Sequence, residues 1–203
     1  LAGSSAASDV YKRQALLLSA LSPLAAQDFD KGVKAYDVGD YATALREWWP
    51  LAQQDDVGAQ YNLGFMYYNG QGLPSDKAEA SKWYRLAAQQ AHSLAQLNLG
   101  AMYRSGEGVP QDSIEAAKWY RMAAQQGNPI AQDNLGVLYY FGDGVVQDNL
   151  TAYMWTNLAF ANGLPEAETR RDFIAEEMSQ ADLSIAQDMA KACIRSAYIK
   201  CGN

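Results

Sequence analysis

Histidine is almost missing from this sequence: His92 is the single one among 203 residues. One imidazole excludes a paired-histidine metal site and leaves acid–base chemistry near neutral pH without its usual group. Cysteine is nearly as scarce, with only Cys193 and Cys201, both in the tail, so a cysteine-rich zinc module is excluded as well. Cations are outnumbered, with 16 Lys and Arg against 23 Asp and Glu and a formal charge of −7. Without residues 1–26 the balance is 14 − 22 = −8. A chain this poor in positive charge, with no basic stripe, suits neither phosphate backbones nor anionic membrane surfaces. There is no long hydrophobic run, and the apolar stretch Ala15–Ala26 is far too short to span a bilayer. No Ser-x-x-Lys, Gly-x-Ser-x-Gly, P-loop or His-Glu-x-x-His pattern occurs.

What is present is a repeat. The text from Ala95 to Ile130 recurs before it from Ala59 and after it from Ala131, at 95 − 59 = 36 and 131 − 95 = 36 residues. A fixed period of this size marks a stack of short units that cannot bury their apolar faces alone. Each unit reads as two helices, the first opening A-Q-x-N-L-G and the second carrying Ala80, Trp83 and Ala87 or their equivalents. Those positions step by three and four, so they form one stripe, with Trp filling the space between units. A Gly-x-Gly turn separates the helices, as at Gly106 and Gly108, where the first Gly can end a helix in left-handed backbone. Asp76, Asp112 and Asp148 are placed to cap the second helices, with Glu79 and Glu115 completing capping boxes. The third copy has Val146 for Pro and Thr151 for Glu, so its second helix is expected to start less sharply. Asn62, Asn98 and Asn134 repeat identically and are expected to hydrogen-bond between neighbouring units; the second reading is that they present amides to an extended peptide.

The Gly-x-Gly turn and the W-Y-R-x-A-A-Q-Q run resemble the Sel1-like repeat family, relatives of the tetratricopeptide repeats, strongly from Ala59 to about Leu164. Thr156 and Asn157 depart from the family's Tyr-Arg pair in the third copy. The resemblance implies an all-α, right-handed α-solenoid of stacked antiparallel helix pairs with capping helices at both ends. It implies a non-enzymatic scaffold that binds other proteins, with no catalytic residues, cofactor or metal. Some exported Cys-rich relatives suggest an alternative, a hydrolase or binder of β-lactams or cell-wall fragments. No repeat here contains the cysteines those relatives carry.

The flanks complete the organisation. Residues 1–14 have no initiating Met and read as a non-native leader, a sequencing or cloning scar. Ala15–Ala26 resembles the apolar core and cleavage site of a truncated signal peptide, which predicts a periplasmic or secreted protein. Residues 27–58 read as an N-terminal capping helix pair, with Pro50 expected to kink its second helix. Three repeats follow at 59–94, 95–130 and 131–166, then C-terminal capping helices over 167–203. Ser179 is placed to cap the last of these, stapled by Met178 and Leu183. In an exported chain Cys193 and Cys201 are expected to form a disulfide. His92 occupies the slot of Asn128 and reads as a helix cap.

The candidate binding residues are the positions at which the copies differ. On the first helices these are Tyr61, Leu97 and Asp133, then Phe65, Ala101 and Val137, then Tyr68, Arg104 and Tyr140. They step by four and three onto one face, opposite the repeated core stripe. Such a face would line the concave surface of a solenoid and take a protein or peptide. The competing reading is that Tyr61, Phe65 and Tyr68 simply pack on the N-terminal cap. Glu107 and Asp143, inside the turns, read as solvated. A monomer that binds no nucleic acid and does not insert into membrane after signal cleavage is expected.

Overall fold

A computed structural model describes residues 28–198 and Cys201. The leader and the signal-like run lie outside the described residues. Ten α-helices occur there, with no strand among the described residues: α1 Phe29–Asp37, α2 Tyr41–Gln53, α3 Val57–Asn69, α4 Lys77–Gln89, α5 Ser93–Ser105, α6 Ser113–Ala124, α7 Pro129–Phe141, α8 Asn149–Ala161, α9 Ala167–Glu176 and α10 Gln180–Arg195. The three copies are therefore α3–α4, α5–α6 and α7–α8. Two compact units emerge, one running to Ala95 and adding Glu107–Val109, the other holding Gln96–Gly106 and everything from Pro110.

The helix starts follow from local chemistry. Asp28, Asp40, Asp56 and Asp76 each accept a backbone N–H from the first turn of their helix. Asp112 accepts from both Ile114 and Glu115. Asn128 accepts from Ala131, with Pro129 at the first helical position. His92 does cap α5, its Nδ1 accepting the Ala95 N–H at 3.2 Å. The third copy's second helix begins in register, contrary to expectation: Lys77, Ser113 and Asn149 are spaced by 36. Asp148 supplies the cap on Leu150 N–H, and Thr151 donates its hydroxyl to the same carboxylate at 2.5 Å. Thr151 thus bonds the cap's side chain, not its main chain; the N-cap N–H groups of Asp76, Asp112 and Asp148 donate to the carbonyls of Tyr67, Tyr103 and Tyr139, so the capping boxes expected of Glu79 and Glu115 do not close. Pro50 lies inside α2, which runs unbroken through it.

Packing in each unit depends on one glycine of the repeated Leu-Gly. In the first unit the Tyr84 ring lies where a Gly64 Cβ would stand, at 2.6 Å. In the second, Tyr120 does the same at Gly100, and Thr156 at Gly136. Thr156 is fully buried and spends its hydroxyl on the carbonyls of Ala152 and Tyr153. This is why a smaller residue is tolerated in the Tyr slot. Trp155 is fully buried, and Trp83 meets Trp49 edge-on at 5.7 Å.

The polar connector is glutamine, not the expected asparagine. Buried Gln60 donates to the Ala52 carbonyl and accepts from Gln90 at the end of its own unit. Gln132 repeats this with the Ala124 carbonyl and Asn162, and Gln126 donates to Gln96. Each pair closes a repeat by joining the start of its first helix to the end of its second. The C-terminal cap packs on Tyr153 through Ile174, Ala186, Met178 and Leu183. Ser179 caps α10 on Asp182 N–H. Cys193 and Cys201 form the disulfide, with their Cα atoms 4.8 Å apart. Tyr198, inside that loop, donates its hydroxyl to Asn162. No described helix is long and apolar enough to cross a membrane.

Candidate partner-binding cleft

The nine variable-face residues divide between the two units, and each unit treats its share differently. In the first unit, Tyr61 and Phe65 border a small pocket of about 220 Å³ with Tyr36, Trp48 and Asn62. Tyr36, from α1, meets Phe65 edge-on at 6.4 Å and Trp48 at 5.7 Å. Tyr61 stacks on His92 at 4.5 Å and leans on Tyr84 at 5.8 Å. Burial holds the His92 imidazole below its ordinary pKa. The first copy's aromatics are thus largely engaged by neighbours, the N-terminal cap among them.

Tyr68 is engaged too. Its hydroxyl donates to Glu107 at 2.5 Å, Lys77 donates to the other Glu107 oxygen at 2.6 Å, and the ammonium lies 5.1 Å over the Tyr68 ring. Glu107 is a clamp, not a free turn residue. Lys77 foremost, and then Tyr68, holds its carboxyl below the usual range, and its bond with Tyr68 raises that phenol.

In the second unit the variable face opens into a cleft of about 760 Å³. Arg104, from the end of α5, and Asp133, Val137 and Tyr140, from α7, all line it. Leu97 and Ala101 do not. Leu97 is 8% exposed and belongs to the core, and Ala101 lies in the open. Asp133 also departs from expectation, being 5% exposed. The reason is α9, whose Arg170 grips both Asp133 oxygens, Nε reaching one at 2.7 Å. The opposite wall of the cleft is that same helix, through Arg170, Phe173 and Ile174. Phe173 meets Tyr140 edge-on at 5.7 Å, and Tyr140 donates its hydroxyl to Glu177. Three contacts thereby hold α9 against α7 and fix the cleft's shape.

Sequence reasoning missed Ile130, Phe141, Leu164 and Phe173, which make the cleft apolar. Phe141 is 70% exposed and Phe173 54%, and Tyr140 stands between them, 5.0 Å from Phe141. An exposed apolar residue directly after Tyr140 was the one signal available; α9 carries no repeat text to announce its role. Arg104 lies by the buried Tyr120 hydroxyl and has no carboxylate partner among the described residues. The cleft's lining includes no Ser, Thr, Cys or His. Its groups can hold a surface with aromatic anchors, the Asp133–Arg170 ion pair, the Glu166 carboxylate, and Arg104, which bonds the Tyr120 hydroxyl. Among the described residues no cluster of His, Cys, Asp and Glu could hold a metal.

Stacked antiparallel helix pairs with a 36-residue period place the protein in the α-solenoid class. The Sel1 repeat model matches residues 57–92, 93–128 and 129–164, and each frame opens on the first residue of α3, α5 or α7. The chain belongs to the Sel1 repeat family. It is similar to a protective antigen present in uropathogenic Escherichia coli strains, displaying an SLR fold, with 32% identity and a TM-score of 0.70 over 80% of this chain. The chain spans 37% of that protein's length. It is also similar to a Sel1 repeat protein from Oxalobacter formigenes, with 39% identity and a TM-score of 0.59 over 64% of this chain and 97% of the other. No curated protein matches. Sel1 repeat proteins are in general non-catalytic interaction scaffolds that bind protein partners.

Proposed function

We propose that this chain holds a protein partner in the cleft between α7 and α9, as an adaptor of the bacterial envelope. The observation that carries the reading is the aromatic rim, Phe141, Tyr140 and Phe173, beside an Arg104 that pairs with no carboxylate among the described residues. Aromatic residues and arginine are what dominate binding energy at protein interfaces. Large exposed rings clustered at a concavity signal association more than fold. The envelope location is supported by the apolar Ala15–Ala26 text and by the Cys193–Cys201 disulfide, a bond that persists in oxidising compartments.

The test is a photo-crosslinking residue at position 141, in the full chain in its native compartment, read by mass spectrometry. One dominant adduct is expected, and Phe173→Ala or Arg104→Gln should remove it. The same adducts from position 114, 71% exposed and not a lining residue, would sink the reading.

A further inference from the structure

We infer that the first unit holds a second site: the aromatic pocket between α1, α2 and α3 takes a trimethylammonium group, the cationic head that choline carries. It stands whether or not the cleft of the second unit holds a protein.

Aromatic rings make up its walls. The space of about 220 Å³ is lined by Tyr36 of α1, Trp48 of α2, and Tyr61, Asn62 and Phe65 of α3. Among the described residues no aliphatic and no charged side chain lines it. The rings run Trp48, Tyr36, Phe65, Tyr61, with successive centroids 5.7, 6.4 and 6.5 Å apart. Tyr36 stands at 72° to Phe65 and at 35° to Trp48, so the walls turn around the space and do not close it as a parallel stack. They are also held from behind. The Trp48 indole N–H donates to the Phe29 carbonyl at 3.1 Å, and Tyr36 donates its hydroxyl to Gln71 at 2.8 Å. A Cβ at Gly32 would collide with that indole, so glycine leaves Trp48 its place. Tyr61 is stacked on His92. The polar atoms of Trp48 and Tyr36 are therefore spent on the protein, and ring surface is what remains for an occupant. Walls already in position lose little freedom when one arrives.

The chemistry of ring faces narrows the occupant. Each face is the negative side of the ring quadrupole and attracts a cation lying within about 6 Å of the centroid. Neighbouring centroids here are close enough for one nitrogen to lie within that reach of two rings. A quaternary ammonium suits such a place best, because it has no N–H to satisfy and little hydration to lose. A sugar also stacks on rings, but its hydroxyls need several polar partners, and Asn62 is the only wall that is not aromatic. An anion finds no cation in the lining. Between a cation and a neutral apolar group, charge favours the cation: residues 28–95 and 107–109 hold 6 Lys and Arg against 10 Asp and Glu. The size sets a limit too, since pockets for drug-sized ligands begin at about 300 Å³. A single small head group fills this one.

The test is calorimetric titration of the full chain with choline chloride and, separately, with neopentylcarbinol, the uncharged alcohol of the same shape with a quaternary carbon in place of the nitrogen. Choline should bind with a Kd of about 1 mM or tighter, and the alcohol about tenfold or more weakly. Phe65→Leu keeps an apolar wall and removes one ring face. It should weaken choline about tenfold and cost the alcohol little. Should Phe65→Leu lose its thermal transition, the comparison of the two ligands on the wild type still decides. Sedimentation with phosphatidylcholine vesicles separates the two sources of the group. Co-sedimentation that Phe65→Leu abolishes assigns the head of a lipid, and choline binding without co-sedimentation assigns a free solute. Equal affinity for choline and the alcohol, or no saturable binding of choline, overturns the inference and leaves the pocket as a packing space beneath the N-terminal cap.

Discussion

Asp133 shows how one side chain changes meaning when a helix from outside the repeat covers it. Periodicity puts it on the variable face; Arg170 of α9 makes it part of a nearly buried ion pair. The two partners are unequally exposed, the Asp133 side chain 7% and that of Arg170 43%. Arg170→Ala should therefore cost more than Asp133→Asn, because it strands the buried charge. We expect about 2–3 kcal/mol for the former, below a fully buried pair because Arg170 reaches water, and about 1 kcal/mol for the latter. Urea unfolding of the two variants checks the order. His92 gives a pH dependence. Burial lowers its pKa from 6.5, and its Nδ1 must stay unprotonated to accept from Ala95. The folded state then binds the proton less readily than the unfolded one. Its contribution is complete above about pH 6.5 and is lost as pH falls through the lowered folded value. Thermal midpoints should drop on acidification through that window, and His92→Asn, which keeps a capping acceptor, should flatten the drop.

At the scale of the element, the turns were the most legible part of the sequence. Glycine, aspartate and spacing state a local requirement, and local requirements can be read without the fold. The second Gly of each turn carries more than a left-handed angle. At Gly144, with φ +70°, an added Cβ would collide with the Ser113 carbonyl; at Gly163, with φ +95°, it would meet nothing within 4 Å. Gly144→Ala should then cost clearly more than the roughly 1–2 kcal/mol of the backbone angle alone, and Gly163→Ala no more than that. Thermal melts of both variants separate the terms. Other elements were less legible. Gln and Asn two residues apart are equally repeated, equally polar and on one helix, and nothing local says which is buried. The fold decides it through the Ala52 and Ala124 carbonyls. Gln132→Ala, which leaves the Ala124 carbonyl and the Asn162 amide without that partner, should lower stability by about 1–3 kcal/mol.

Across the whole molecule, the architecture was readable because a repeat restates itself, and three copies average out ambiguity. The cleft was readable only by half. Its α7 wall is written in the repeat, whereas its α9 wall is written in A-E-T-R-R-D-F-I, text with no second copy to compare. The tail yields a further prediction. Cys193 and Cys201 close a loop with a sequence separation of 8. Replacing both by Ser should cost about 2–3 kcal/mol on the chain-entropy account. The loss should appear as early hydrogen exchange in α10, since Tyr198 is held to Asn162 from within that loop. Thiol alkylation of protein from its native compartment should add labels only after reduction.

The glutamine bonds also bear on inheritance. Gln60 and Gln132 each reach a carbonyl eight residues behind and an amide thirty ahead, offsets that never refer to the copy's place in the chain. A gene encoding them can gain or lose a copy by unequal recombination, in steps of one period, and every new neighbour still finds its partner atoms. Chain length can then drift among descendants while the bonding between copies stays the same.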